Sequence, residues 1–361
     1  RNRPWPLLEG DIHGCSSEVI LATGGLQVGE PDLLFGGPPC QPFSKSGYWN
    51  EGDARRLDDP RSSTLGAYLR VMEDTLPAAF VLENVGGLAF RGKDEGLRFL
   101  LEGVDRINQR QGTSYNVTWA KLNAADFGVP QLRERIVLVG CRDGTAFRFP
   151  EPTHANGGCE GREPWRTAWD ALGDLPRQPN EPGLAMGGKW ADLLPSVPEG
   201  ENYLWHTPRG GGLPLFGWRT RYWSFLLKLA KDRPSWTIQA QPGSAIGPFH
   251  WTSRKLSTQE LCRLQTFPDG LHFACGRSAV QKLLGNAVPS LLAEVIGRAL
   301  REQLFGEVSR EPLELLPKRR GTVPPAEPVR AVSACYLHLQ GEHQAHPGEG
   351  LGNRARLRQA A

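Results

Sequence analysis

Leu33-Leu34-Phe35-Gly36-Gly37-Pro38-Pro39-Cys40-Gln41-Pro42-Phe43-Ser44 is a short apolar run that halts at paired glycines and passes into a loop stiffened by prolines around one cysteine. An apolar run cut off by glycine predicts a buried strand. Loops at the carboxyl ends of such strands are where an open parallel sheet gathers its reactive groups. A cysteine held there suits a nucleophile, which must be positioned and at least partly ionised from a free pKa near ~8.5. A lone cysteine is more often an inert buried thiol; the glycines and prolines around Cys40 favour the reactive reading.

Working outward, Leu65, Leu69, Met72 and Leu76 share one face at helical spacing, and Pro77 closes that helix. Phe80-Val81-Leu82 predicts the next strand, ending at Glu83-Asn84-Val85. Tyr115 to Leu122 predicts another, and Arg135 to Gly140 the last. The last follows Gly128-Val129-Pro130 closely enough for an antiparallel return. Strands alternating with helical patterns over residues 1–148 predict an α/β fold built on a parallel sheet. Glu83, at a strand end, is either a solvated surface carboxylate or, beside a thiol in a closed pocket, an acid kept protonated by desolvation. Gln131-Leu132-Arg133-Glu134-Arg135 alternates like a strand entry, placing Gln131, Arg133 and Arg135 on one face. The two guanidiniums there could bind a carbonyl oxygen or a phosphate, or form an exposed charge ladder. Gly285-Asn286-Ala287-Val288-Pro289 reads as a glycine-led turn into a helix from Ser290 to Leu304.

From about 149 to 250 the texture changes to Pro, Gly and Trp with little periodicity, which predicts a separate, loop-rich module. Ser257 and Glu260 form a capping box that starts a helix through Gln265. Beyond about 310 the chain is Pro-rich and basic without apolar periodicity, and reads as a disordered tail. The 361 residues, 39% hydrophobic and 22% charged, allow two domains with real cores and exclude a disordered or fibrous protein. No apolar run approaches the roughly 20 residues of a membrane span, and no leader opens the chain, which starts at Arg1 and so reads as a fragment or processed product. Seven scattered cysteines fit a reduced, cytoplasmic protein without a disulfide framework, and no ligand spacing marks a metal site. A net charge of +3 does not by itself announce a nucleic-acid binder. The cations are 33 Arg against 9 Lys, a bias that fits phosphate and guanine recognition and equally fits GC-rich codon usage.

In this order, the cysteine loop, the Glu83-Asn84-Val85 triplet, the Gln-x-Arg-x-Arg strand and the Gly285–Pro289 segment resemble the DNA (cytosine-5)-methyltransferase family over about residues 7–305. Arg254-Lys255-Leu256-Ser257-Thr258-Gln259-Glu260, with Arg263-Leu264-Gln265 and Phe267-Pro268, resembles the block that organises the family's target-recognition domain. Gly10-Asp11-Ile12 resembles the block whose acidic residue meets the cofactor adenine. The resemblance implies the Rossmann-like sheet of S-adenosylmethionine-dependent methyltransferases with a smaller loop-rich target-recognition domain. It divides the chain into a catalytic domain (1–148), a target-recognition domain (149–277), return helices packing on the catalytic domain (278–308) and the tail (309–361).

It also implies roles. The Cys40 thiolate adds to C6 of a flipped-out cytosine, Glu83 engages N3, Arg135 holds O2 and Arg133 supports the adduct geometry. Asp11, Ile12, Pro39, Leu65, Asn286 and Val288 contact S-adenosylmethionine. Between 150 and 250, seven tryptophans are interleaved with arginines, and Arg209, Gly210, Gly211, Arg219 and Arg221 are the candidate contacts to double-stranded DNA. At least half of those tryptophans are expected to be core. The implied setting is a cytoplasmic monomer that modifies the site cut by a cognate restriction endonuclease. One departure stands out: the family's first block, a strand with a Phe- and Gly-rich loop, has no counterpart, so the sheet is expected to lack its first strands and the chain to bind cofactor poorly. A tRNA cytosine-5 methyltransferase of the same fold and an inactive DNA-binding remnant are the competing readings. The first lacks the Cys-Phe-Thr signature of that branch; the second is opposed by the presence of Cys40, Glu83 and Arg135 together.

Overall fold

The computed structural model describes residues 6–38, 63–89, 94–159, 161–219 and 222–344. They fall into two units. The first holds residues up to 122 with 134–150 and 299–307; the second holds 123–133, 151–298 and 308 onward.

In the first unit, helix α1 (Ser17–Gly24) precedes strand β1 (Leu33–Gly36). Helix α2 (Ser63–Thr75), strand β2 (Ala79–Val85), helix α3 (Glu95–Gln111) and strand β3 (Asn116–Asn123) follow. The chain then enters the second unit for the two-residue strand β4 (Gln131–Leu132) and resumes the first as β5 (Glu134–Cys141). The sheet order is β1-β2-β5-β3. β1 and β2 are parallel, while β2 and β5 are antiparallel from Ala79↔Cys141 to Val85↔Arg135, the return expected from the sequence. Every residue of β5 from Arg135 onward is buried, which is why its apolar run shows no alternation. The expected stripe on α2 buries Leu65, Leu69 and Met72 against Phe80 and Leu82, and α3 adds Leu97, Leu100, Val104 and Ile107 to the same core. Each such side chain contributes about 1.5–3 kcal/mol by leaving water.

The second unit has little regular structure: β6 (His154–Ala155), β7 (Glu163–Pro164), α4 (Ala168–Leu172) and β8 (Ser235–Trp236), the last paired in parallel with β4. The capping box closes as expected on α5 (Thr258–Leu264): Ser257 and Glu260 satisfy each other's backbone amides. Helix α6 (Arg277–Asn286) contributes Val280 and Leu284 to the core formed with Leu172, Ile238, Leu261 and Leu264. For α6 this differs from the expectation that the return helices over 278–308 pack on the catalytic domain. Periodicity shows that a helix has an apolar face, not which core receives it. Helix α7 (Ser290–Phe305) is shared, its residues up to 298 counting with the second unit and the rest with the first.

The tail is a second correction. Residues 308–344 are fixed against the second unit, and Tyr336 is buried in a core with Leu194, Tyr203, Leu226 and Phe249. Single anchors separated by prolines carry no periodic signal, so composition alone suggested disorder. Residues 345–361 lie outside the described residues. By length and composition alone the stretch Arg277–Phe305 is apolar enough to cross a membrane. It is two helices broken at Ala287–Pro289, and Leu284, Leu291 and Leu292 are buried within the protein.

Candidate active site

Strand β2 carries Glu83 beside β5, where the register pairs Val85 with Arg135. Arg135 Nε lies 2.7 Å from Glu83 Oε1, with the two side chains only 10% and 16% exposed. A second guanidinium nitrogen of Arg135, Nη1, donates to its neighbour's carbonyl, Glu134 O, at 2.8 Å, which fixes the plane of the fork. Gly37 gives the carboxylate its room: a Cβ there would stand 3.0 Å from Glu83 Oε2. Asn84 Nδ2 donates to Pro38 O at 3.3 Å while its Oδ1 accepts from Val85 N at 2.8 Å. From α2, the Tyr68 hydroxyl reaches Leu34 O and Val81 O, at 3.3 and 3.0 Å, tying β1 to β2. The strand end that leads into the cysteine loop is thus fastened to the strand that carries Glu83. Cys40 and Pro39 lie outside the described residues; Cys40 follows Pro38 by two positions in the chain.

The alternation of Gln131, Arg133 and Arg135 holds as burial: all three are enclosed, while Glu134 between the arginines is half-exposed. They do not share one strand, because the ladder breaks at Arg133. In the second unit the Arg133 guanidinium donates from Nη2 to Gly285 O and Ala287 O, at 2.7 and 2.8 Å, and from Nη1 to Ile238 O at 3.3 Å. A cation here meets carbonyls at the end of α6 that have no partner within the helix. Gln131 and Gln265 extend the clamp, through Leu264 O and Leu284 O respectively. Gly285 is not the leader of a turn but lies within α6. A side chain there would stand 2.4 Å from the Ala240 backbone, so glycine is required by close approach. Asn286 is exposed and Val288 half-buried on this fixed segment. Sequence reading sets Gln131 with the arginines but not for this contact, and does not single out Gln265, at the C-cap of α5, for it either.

Among the residues assigned to the cofactor, Asp11 caps a single 3-10 turn, Ile12–Gly14, by accepting from His13 N at 2.9 Å and contacting His13 Nδ1 at 2.7 Å. The His13 backbone amide and then its ring hold the Asp11 carboxyl below its ordinary pKa. Arg70 on α2 pins the turn by donating to Ile12 O and Cys15 O, at 2.8 and 3.0 Å. Sequence reading missed Arg70, which sits on the polar side of α2 and resembles any surface arginine. Asp11 and Ile12 remain exposed, whereas Leu65 is 1% exposed and part of the core. Its side chain packs the helix and offers no surface to a ligand, which corrects its assignment.

In the Trp-rich region, Arg209 is exposed with its guanidinium 4.2 Å over the Trp218 ring. Arg219 is exposed too, and its carbonyl accepts from the Tyr203 hydroxyl; Arg221 lies outside the described residues. Gly210 and Gly211 have a reason unrelated to a groove: Cβ atoms there would lie 2.2 Å from Trp205 O and 2.4 Å from the Trp205 ring. The glycines let the loop fold over its own indole. Trp169 and Trp190 pack against the two cores of this unit, and Trp165 donates to Asp126. Trp223 and Trp236 form an exposed edge-to-face pair at 5.5 Å.

Comparison with known proteins converges on one family. The family described as C-5 cytosine-specific DNA methylase matches residues 2–302. Type II methyltransferase M.SacI of Streptomyces achromogenes is 44% identical over 311 residues, 82% of this chain and 78% of that protein. Type II methyltransferase M1.HphI of Haemophilus parahaemolyticus is 33% identical over 305 residues, 81% of this chain and 74% of its own length. A candidate DNA modification methyltransferase encoded within an E. coli prophage has the same fold, with a TM-score of 0.55 at 19% identity over 82% of this chain and 86% of that one.

Proposed function

This chain belongs to the C-5 cytosine-specific DNA methylase family, and from that premise we propose how its residues carry the reaction. It is a DNA cytosine-5 methyltransferase of the type II restriction–modification kind. The observation that carries the reading is the enclosed Glu83–Arg135 pair, 2.7 Å apart, at the root of the loop that bears Cys40.

C5 of cytosine is a poor nucleophile until the ring is activated. The Cys40 thiolate adds its electron pair to C6, forming a carbon–sulfur bond as the C5=C6 π bond opens, and the displaced pair is taken up through C4 at N3. Glu83, ion-paired with Arg135 before the base enters, takes up a proton and then donates a hydrogen bond there, while Arg135, anchored through Glu134 O, holds O2. Electron density then gathers at C5. When bound, S-adenosylmethionine supplies the electrophilic methyl group that C5 takes up. Loss of the C5 proton and expulsion of the Cys40 thiolate restore the aromatic ring. A stacked base cannot meet these groups, so the cytosine leaves the duplex at a cost of a few kcal/mol. By the resemblance, Asp11 and Ile12, exposed on their pinned turn, would meet the adenine end of the cofactor, and Asn286 and Val288 would be further contacts. Arg133 acts by holding residues 285–287. The substrate is double-stranded DNA, and the enzyme works as a cytoplasmic monomer beside an endonuclease that cuts the same site.

A duplex containing 5-fluorocytosine at the target tests the chemistry. A covalent adduct stable to denaturation is expected, and it disappears in Cys40→Ala. Bisulfite sequencing of DNA from expressing cells identifies the target motif. Unmethylated DNA beside methylated tRNA would overturn the DNA assignment in favour of an RNA substrate.

A further inference from the structure

The family match ends at residue 302, yet the chain beyond it is fastened at successive points along the second unit. Glu294 accepts from Glu314 N and Leu315 N at 2.8 and 3.0 Å, and Asp170 accepts from Arg320 N at 2.8 Å. Glu327 lies 3.3 Å from Lys231 Nζ, an ammonium 4% exposed that Glu199 also meets at 2.6 Å. Arg330 N donates to Pro195 O at 3.1 Å. The Tyr336 ring then stacks on Trp190 at 5.8 Å with 16° between the planes, and its hydroxyl donates to Lys189 O at 2.8 Å.

From Trp190 the contacts lead to one loop, which the last described residues of this segment touch directly. Trp190 meets Phe216 edge-on at 5.2 Å. Gly341 N donates to Pro214 O at 3.2 Å, and a Cβ on Gly217 would stand 2.9 Å from Gln344 O. Trp218, the platform under Arg209, is the next residue, and exposed Arg219 follows it. We propose that residues 308–344 are a positioning strap for the DNA-reading loop 209–219, setting the poise of Arg209 and Arg219 through Tyr336 on Trp190, Trp190 on Phe216, and Gln344 against Gly217. This rests on the reading of Arg209 and Arg219 as DNA contacts. A guanidinium discriminates a base edge only when its fork is held in register, so a fixed floor beneath the loop converts charge into sequence selectivity.

The test uses the full chain and two labelled duplexes of equal length, one carrying the motif found by bisulfite sequencing and one with that motif scrambled. Arg209→Ala and Tyr336→Ala are each expected to weaken binding to the motif duplex about tenfold, ~1.4 kcal/mol. Binding to the scrambled duplex and to S-adenosylmethionine stays within about twofold, and Tyr336→Phe retains the parent affinity. Because the strap acts through the arginine, the double variant is expected to be no more than about twofold weaker than Arg209→Ala alone. A hundredfold loss in the double variant, or no loss in Tyr336→Ala, overturns the strap while leaving Arg209 as a DNA contact. No loss in Arg209→Ala overturns the DNA-reading assignment and the strap with it. Should Tyr336→Ala fail to fold, Gly217→Ala, which presses a methyl group onto Gln344 O, is read in its place by the same criteria.

Discussion

Glu83 and Arg135 are nearly enclosed, and removing one member of such a pair costs far more than cutting an exposed one, about 3–5 kcal/mol against 0–1. Arg135→Ala is therefore expected to lose stability as well as turnover. Glu83→Gln keeps the shape but leaves the enclosed Arg135 charge without its counter-ion, so a loss of stability is expected with it; measured on the folded fraction, methyl incorporation is expected to fall by about 10²–10⁴-fold, the range for a lost general acid. A loss confined to KM for DNA would show that Glu83 orients the strand rather than the base. Arg133 gives a contrasting case. Arg133→Met strips charged donors from the Gly285 and Ala287 carbonyls and is expected to lower stability by about 3 kcal/mol, measured by urea unfolding. At this scale the sequence was highly legible. The triplet with Glu83 and the spacing of the arginines stood out by residue type, whereas the separate tasks of Arg133 and Arg135 did not, because both lie on the buried side of one alternating pentapeptide.

Elements were legible where their determinants are local. The capping box of α5 and the stripe on α2 are read within a few residues and formed as expected; β1 stops at its glycine but is not the buried strand its apolar run predicts, because it lies at the edge of the sheet with Leu33 and Phe35 exposed. Ser257→Ala is expected to cost about 1 kcal/mol through the lost cap, visible as a lower midpoint in thermal melts. Gly285→Ala is a sharper test of α6, since its methyl group would meet backbone that no rotamer change can move. A loss of about 1–3 kcal/mol is expected, together with weaker S-adenosylmethionine binding if the Asn286–Val288 segment shifts. Unchanged melting would mean that the Ala240 backbone yields freely. What a pattern within an element does not encode is its destination. The apolar face of α6 would look the same on either unit, and Leu65 occupies a stripe position that reads equally as core or as pocket wall.

For the molecule as a whole, three histidines are buried among the described residues of the second unit. Burial holds His154, His206 and His250 below the ordinary imidazole pKa, His250 down to about 2 with Arg254 and Lys231 adding to the effect. Their neutral state is shared by folded and unfolded chains above about pH 6.5. Below it the unfolded chain takes up protons first, so stability is full above the unfolded value and is lost as pH falls. At pH 5.5, His250 alone removes about 1.4 kcal/mol. The lowered carboxylates, such as Glu327 and Glu163, lie too low to contribute there. Thermal unfolding is expected several degrees lower at pH 5.5 than at pH 7.5, and His206→Gln flattens that difference; an unchanged slope would place His206 in a protonatable setting.

The family was legible in the sequence because candidate reactive groups are marked by identity and short spacing: a cysteine between prolines, a glutamate closing a strand, an arginine two residues after another. Those features need only the local backbone to be recognised. Which carboxylate faces which guanidinium, which core receives α6, and the fixing of the Pro-rich tail into a strap were decided in three dimensions. Each depends on single contacts between residues far apart in the chain, such as Tyr336 on Trp190, and an isolated anchor leaves no periodic trace in the order of amino acids.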